Sequence, residues 1–298
     1  MKRVFFQTAF IVVMFLGASL TQSLSAQDDY HFPVIYVDNP TNNSSLGNEL
    51  FHQFAALVKE GVGMSRRTVM IDENTEKSLK LESDRRDSGT ALDENSLFNR
   101  LTTAGADYII RTQLNGGTYE RIVPEKSTSG VGKFLDALAG TDPYYKANVM
   151  WNITITDIKN GRTIYNSSQT VEGRTSKQEE NQTVAYVNAI QKIPSSILSI
   201  IKSLVPLDGK ILKIEDVKKD KANSVILDLG GATGLSVRDN GTVYLEVDMA
   251  GETALREIGT IQISEVISAN RSIAKVKKGN KEILSAFNKG QNLLVRIY

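Results

Sequence analysis

"MWNITITDIKNGRTIYNSSQTVEG", residues 150–173, alternates Ile153 and Ile155 with Thr154 and Thr156, breaks at Asn160-Gly161, and resumes at Ile164 and Tyr165. Period-two alternation on both sides of a turn dipeptide predicts two strands joined as a hairpin, and Asn-Gly favours the positive φ angles of a type I′ turn. The stretch holds no group suited to catalysis, so its role reads as sheet scaffold.

Upstream of it the pattern alternates strand and helix. "PVIYVDN" (Pro33 to Asn39) reads as a short buried strand. "LGNELFHQFAALVKEG" places Leu50, Phe54, Leu57 and Val58 at helical spacing, with Gly61 as its stop, and "RTVMID" reads as a second strand. Residues 73–95 mix both signs of charge and read as a solvated, partly helical excursion. "NSLFNRLTTAGADYIIRTQLNGGTYERIV" then predicts a short helix, a stop at Gly105 and a long strand through Tyr108, Ile110 and Thr112. Downstream of the hairpin, apolar residues recur from Gln178 to Val205 at helical spacing, broken at Pro194, which has no N–H to donate.

"PLDG" (Pro206 to Gly209) marks a change of texture. Beyond it, "KILKIEDV", "SVILDL", "TVYLEV", "IGTIQISEV", "RSIAKVKKG" and "NLLVRIY" are short strands separated by Gly, Asn and Asp. Strands at that spacing predict a small all-β barrel-like domain. The expected organisation is therefore an α/β domain, a sheet flanked by helices, over 27–206 and a small β domain over 207–298.

The start of the chain predicts an address. Lys2 and Arg3 precede a mostly apolar run from Val4 to Leu20, and "SLSA" leads to Gln27, the layout of a signal peptide over 1–26. Its removal takes away two positive charges and no negative ones, moving the net charge from +1 to −1. A nearly neutral protein is not built for nucleic acid or for a strongly anionic surface. The chain has no cysteine, which excludes disulfides, thiolate metal sites and a lipid carried on an N-terminal cysteine. The expected location is the periplasm, not lipidated, with peripheral outer-membrane association as the further option.

Chemistry-bearing motifs are sparse. His31 and His52 are the two histidines and form no His-Glu-x-x-His pattern, so no metal and no cofactor is expected. "LGGATG" (Leu229 to Gly234) runs into "LSVRDNGTVYLEV", without the Lys-Ser/Thr pair of a phosphate loop, and reads as a strand-to-strand turn. "KVKKGNK" (Lys275 to Lys281) has no interleaved aromatics and reads as a decorated turn. No Gly-x-Ser-x-Gly elbow occurs. The segment "VPEKSTSGVGKFLDALAGTDPYYKANV" is long for a connection and carries large apolar groups in a Gly-rich frame. The plain reading is a loop helix packed on the sheet; the sharper one makes Val131, Phe134, Leu135, Leu138, Tyr144 and Tyr145 the candidate partner-docking residues.

In "LTTAGADYIIRTQLNGGTYE", "SGVGKFL" and "GTDPYYKANVMWNITITDIKNGRTIYNS", the order of pieces resembles the CsgG family of curli secretion channels, and also the TolB N-terminal type domain. The likeness spans roughly 33–204, with Gly130-Val131-Gly132 and Asn160-Gly161 its sharpest points. "GLSVRDNGTVYLEV" and "IGTIQISEVISANRSIAKV" resemble the small β domain that ends the flagellar protein FlgT. The resemblance implies an exported envelope protein that docks or assembles: a non-enzymatic accessory or assembly factor for an outer-membrane or secretion machine. Its partners would be envelope proteins or further copies of itself. Two features depart from the family. Its channels carry a lipidated N-terminal cysteine, absent here, and a second membrane hairpin, for which "VEGRTSKQEENQTV" leaves no room. An oligomeric outer-membrane secretion pore subunit and an envelope hydrolase are the two alternative functions.

Overall fold

The stretch from Met150 to Gly173 forms the last two strands of a mixed sheet. In the computed structural model, which describes residues 32–71, 94–123, 143–175, 181–249 and 252–298, the sheet comprises β1 (Val34–Val37), β2 (Thr41–Asn42), β3 (Val69–Met70), β4 (Tyr108–Ile122), β5 (Tyr144–Asp157) and β6 (Arg162–Arg174). Its order is β3-β1-β4-β5-β6, with β2 beside β4. β1 runs parallel to both β3 and β4, while β4, β5 and β6 form an antiparallel meander. The α/β expectation thus holds in part. A parallel βαβ unit is present, but long antiparallel strands dominate the sheet.

The face of β5 that carries Ala147, Val149, Trp151, Ile153 and Ile155 is buried. Against it pack α1 (Asn48–Gly63), α3 (Gln182–Ile190) and α4 (Ile193–Leu204), contributing Phe54, Val58, Ala189 and Ile197 to one core. Phe54 meets Trp151 edge-on, with ring centroids 6.1 Å apart. On the opposite face α2 (Glu94–Thr103) buries Leu97 and Leu101 against Tyr36, Ile109 and Ile158. The apolar run from Gln182 breaks into two helices at Gln191 and Lys192, and Pro194 sits in the first turn of α4, where no N–H is needed.

Two local expectations are corrected. Gly61 does not end α1, which continues to Gly63. It is buried, and a Cβ there would stand 2.9 Å from Pro194 Cα and Ile197 Cβ, so glycine lets α4 cross close to α1. The hairpin turn is not type I′. β5 and β6 pair last at Asp157 and Arg162, leaving four connecting residues, and of Asn160 and Gly161 only Gly161 has positive φ, at 61°. The Asp157 carboxylate accepts from Asn160 N at 3.1 Å and Nδ2 at 3.0 Å, holding the longer turn.

The described residues from Leu207 onward form a closed antiparallel barrel, β10-β11-β8-β7-β12-β9. Its strands are β7 (Leu207–Val217), β8 (Ala222–Leu227), β9 (Asn240–Met249), β10 (Glu252–Ser268), β11 (Arg271–Lys278) and β12 (Leu293–Ile297). Alternate residues such as Val243 and Leu245, Ile261 and Ile263, and Val295 and Ile297 fill the interior. The all-β expectation misses α5 (Asn280–Asn288), which adds Ile283 and Ala286 to that core, so "KVKKGNK" leads from strand into helix. "LGGATG" connects β8 to β9 through one turn of 3₁₀ helix, Gly231–Thr233.

Two residues, Val205 and Pro206, separate α4 from β7, and Leu207 is fully buried, so "PLDG" is no free linker. The two halves are joined by Arg67, which is completely buried. Its Nη1 donates to the carbonyls of Val205 and Ile297, each at 3.2 Å, and Nη2 donates to Asp239 Oδ2 at 2.8 Å. Lys202 of α4 reaches the other oxygen of Asp239 at 2.5 Å.

Candidate functional site

β6 ends the strand order, and among the described residues no strand pairs with its outer side. An edge strand presents alternate N–H and C=O groups outward, and proteins usually blunt it with charge, proline or a bulge. Here the blunting is confined to the strand's ends. The ladder with β5 is regular from Arg174 opposite Lys146 to Tyr165 opposite Ile155, then slips so that Thr163 faces Thr156, which makes Ile164 a bulge. From Tyr165 to Val171 there is no charge, no proline and no irregularity.

Alternation along that window sorts its side chains. Asn166, Ser168 and Thr170 are exposed on the face away from α3 and α4, while Tyr165, Ser167 and Gln169 are half-buried on the helix side. Gln169 Nε2 donates to Ser167 Oγ at 2.9 Å. Beside them opens a groove of about 640 Å³ between β6 and α4, lined by Tyr165, Gln169, Lys192, Ser195, Ser199 and Ser203. An extended chain added to this edge would satisfy the outward backbone groups and drop every second side chain into the groove.

The far end of β6 is fixed by charge. Glu172 accepts from Lys146 Nζ and from Arg174 Nε, each at 2.9 Å. Hydrogen bonds from Lys146 and Arg174 hold the Glu172 carboxyl below its ordinary value. Arg174 also lies over the Tyr144 ring, 5.5 Å from its centroid.

Of the six residues predicted to dock a partner, Val131, Phe134, Leu135 and Leu138 lie outside the described residues. Tyr144 and Tyr145 are not in a loop but open β5. Tyr145 packs against the main core, 6.4 Å from Tyr119, and its N–H donates to Thr175 Oγ1 at 2.9 Å. The open edge escaped the sequence reading because strand order is a long-range property. One local signal was available: "NSSQT" is polar on both faces, which suits a strand with little to cover it.

Among the described residues, concavities also lie on the barrel. One, of about 250 Å³, is lined by Asp208, Lys210, Asp228, Tyr244, Leu255 and Arg296. Arg296 grips Asp208 through both carboxylate oxygens at 2.7 and 2.8 Å, and Asp228 accepts from Lys210 N at 2.6 Å, so both acids are engaged internally. The other, about 730 Å³, places Glu257 and Glu282 among Arg256, Lys278 and Lys289 between β10 and α5. Among the described residues no three His, Cys, Asp or Glu side chains converge as a metal site, and His52 is exposed beside Phe51.

No family model matches the chain, and no curated protein matches it in sequence. Several solved structures are similar at low identity. A hypothetical protein from Chlamydia trachomatis aligns at 12% identity over 59% of this chain and 98% of its own, with a TM-score of 0.38. A lipoprotein from Neisseria meningitidis aligns at 13% identity over 57% of this chain and 99% of its own, with a TM-score of 0.31. The LpoB C-terminal domain from Escherichia coli aligns at 11% identity over 52% of this chain and 93% of its own, with a TM-score of 0.29.

Proposed function

We propose that this chain is an exported, non-enzymatic protein of the bacterial cell envelope, an accessory or assembly factor that docks on its partner through the open edge of β6. The observation that carries the reading is the regular, uncharged window from Tyr165 to Val171 beside a groove lined by Tyr165, Gln169 and the serines of α4. Export is supported by the Lys2-Arg3 start, the apolar run and "SLSA". Membership of the CsgG or TolB N-terminal type, with a FlgT-like barrel after it, belongs to the same proposal and rests on the sequence stretches that carry the resemblance.

The pore alternative has less behind it. Toward Ile122 the β4–β5 ladder sets Glu120 opposite Lys146 and Arg121 opposite Tyr145, whereas a lipid-facing strand alternates apolar residues outward. Among the described residues, the hydrolase alternative would draw on Glu257 and Glu282 in the concavity between β10 and α5.

The test is photo-crosslinking in cells that export the chain, with the reactive residue at Asn166 or Ser168 and, as control, at exposed Leu212 on β7. Protein adducts in the envelope fraction from the β6 positions, and none from Leu212, are expected. Retention of the chain in the cytosol, or equal adducts from both places, would abandon the reading.

A further inference from the structure

We infer that the occupant of the β6 edge is a second copy of this chain, paired antiparallel through Tyr165–Val171 about a two-fold axis at Ser168. The inference rests on the docking reading above and names the partner. A two-fold contact uses one patch twice, so the patch must complement itself. With Ser168 opposite Ser168, Tyr165 of one copy faces Val171 of the other, Asn166 faces Thr170, and Ser167 faces Gln169. Val171 is already buried in its own core, so the side-chain pairing rests on the other two, which set amide against hydroxyl, each able to donate and accept.

The ends of the window obey the same symmetry. The bulge at Ile164 stops regular pairing at one end of each strand, and the two-fold places the partner's bulge at the other end. Pairing is thereby confined to the uncharged stretch, and Glu172, Arg174 and Lys146 stay in their own cluster beyond it. Under the junction, Ser195, Ser199 and Ser203 of α4 line the groove. Hydroxyls both donate and accept, so the same serine row arriving from a second copy can satisfy them.

The chain contains no cysteine, so single cysteines report the register directly. Directly opposite residues of an antiparallel pair have Cα atoms about 4.5–5.5 Å apart, within disulfide reach. Ser168→Cys is therefore expected to form a covalent dimer of the purified chain under mild oxidation. Ser167→Cys puts its sulfurs on diagonal positions about 7–8 Å apart and should remain uncrosslinked. Light scattering across concentration should show a reversible dimer of the parent chain. Asn166→Lys with Thr170→Lys sets like charges opposite each other twice and should weaken that dimer about tenfold or more. Asn166→Lys with Thr170→Glu makes both pairs complementary and should restore it. All these side chains but Ser167 are exposed, so thermal melts matching the parent will separate lost pairing from lost fold. A chain that stays monomeric throughout, equal crosslinking at both cysteine positions, or no difference between the two charge variants overturns the inference. A monomer whose β6 positions still crosslink to another envelope protein in cells overturns self-pairing and leaves the docking reading standing; a monomer without such adducts removes both.

Discussion

Gly61 and Gly63 lie two residues apart on α1, yet glycine serves different ends at the two positions. At Gly61 a methyl group would press on Pro194 and Ile197 of α4 at 2.9 Å, against atoms that cannot swing aside. At Gly63 its nearest neighbour would be the flexible end of Met70, at 3.5 Å. Gly61→Ala is therefore expected to cost about 1–3 kcal/mol by overpacking, less what alanine's better helix propensity returns. Gly63→Ala should be neutral or stabilise by up to about 1 kcal/mol, through a less flexible unfolded chain. Urea denaturation of the pair checks this. Equal effects of the two substitutions would mean that the close crossing of α1 and α4 does not depend on Gly61.

Among the elements, those written as local alternation were legible and those defined by distant neighbours were not. Val149, Trp151, Ile153 and Ile155 announce β5, and the step at Pro194 announces the break between α3 and α4. Gly61 was misread because a glycine after an apolar run looks the same whether it ends a helix or admits another one. α5 was missed because a nine-residue helix with Ile283 and Ala286 as its buried pair leaves little periodicity to detect. The candidate edge was invisible for a related reason: nothing in "YNSSQTV" says which side of β6 will lack a neighbour. What holds the distal end of β6 in line is testable through pH. Glu172 has its pKa lowered in the folded state by hydrogen bonds from Lys146 and then Arg174. Its stabilisation is therefore complete above the ordinary glutamate value of about 4.3 and is lost as pH falls through the lower folded value. The parent should be more stable than Glu172→Gln at neutral pH, and denaturant midpoints of the two should converge as the solution is acidified below pH ~4. A difference that stays constant with pH would show that packing, not the charge on Glu172, separates them.

At the scale of the molecule, the sheet and the barrel have separate hydrophobic cores but share a buried charge cluster. Arg67 follows α1, Lys202 belongs to α4, and Asp239 precedes β9, so the cluster joins three distant parts of the chain. Gly234, at φ +76°, lies where a Cβ would strike the Arg66 carbonyl, so the backbones of the two halves are themselves in contact. A barrel that folded independently from Gly209 would have to leave Asp239 without Arg67 and Lys202. We therefore expect the intact chain to unfold in one transition and to resist proteolysis between Val205 and Gly209. Breaking a buried ion pair by removing one partner leaves the other charge stranded, at about 3–5 kcal/mol. Asp239→Asn keeps the shape and removes the charge that faces both Arg67 and Lys202. It should lower stability by about that amount and, because each half keeps its own core, split calorimetric unfolding into two transitions. An unchanged midpoint for Asp239→Asn would mean that the carbonyl bonds of Arg67 hold the halves together without the ion pair. Two transitions already present in the parent would mean that the barrel folds by itself.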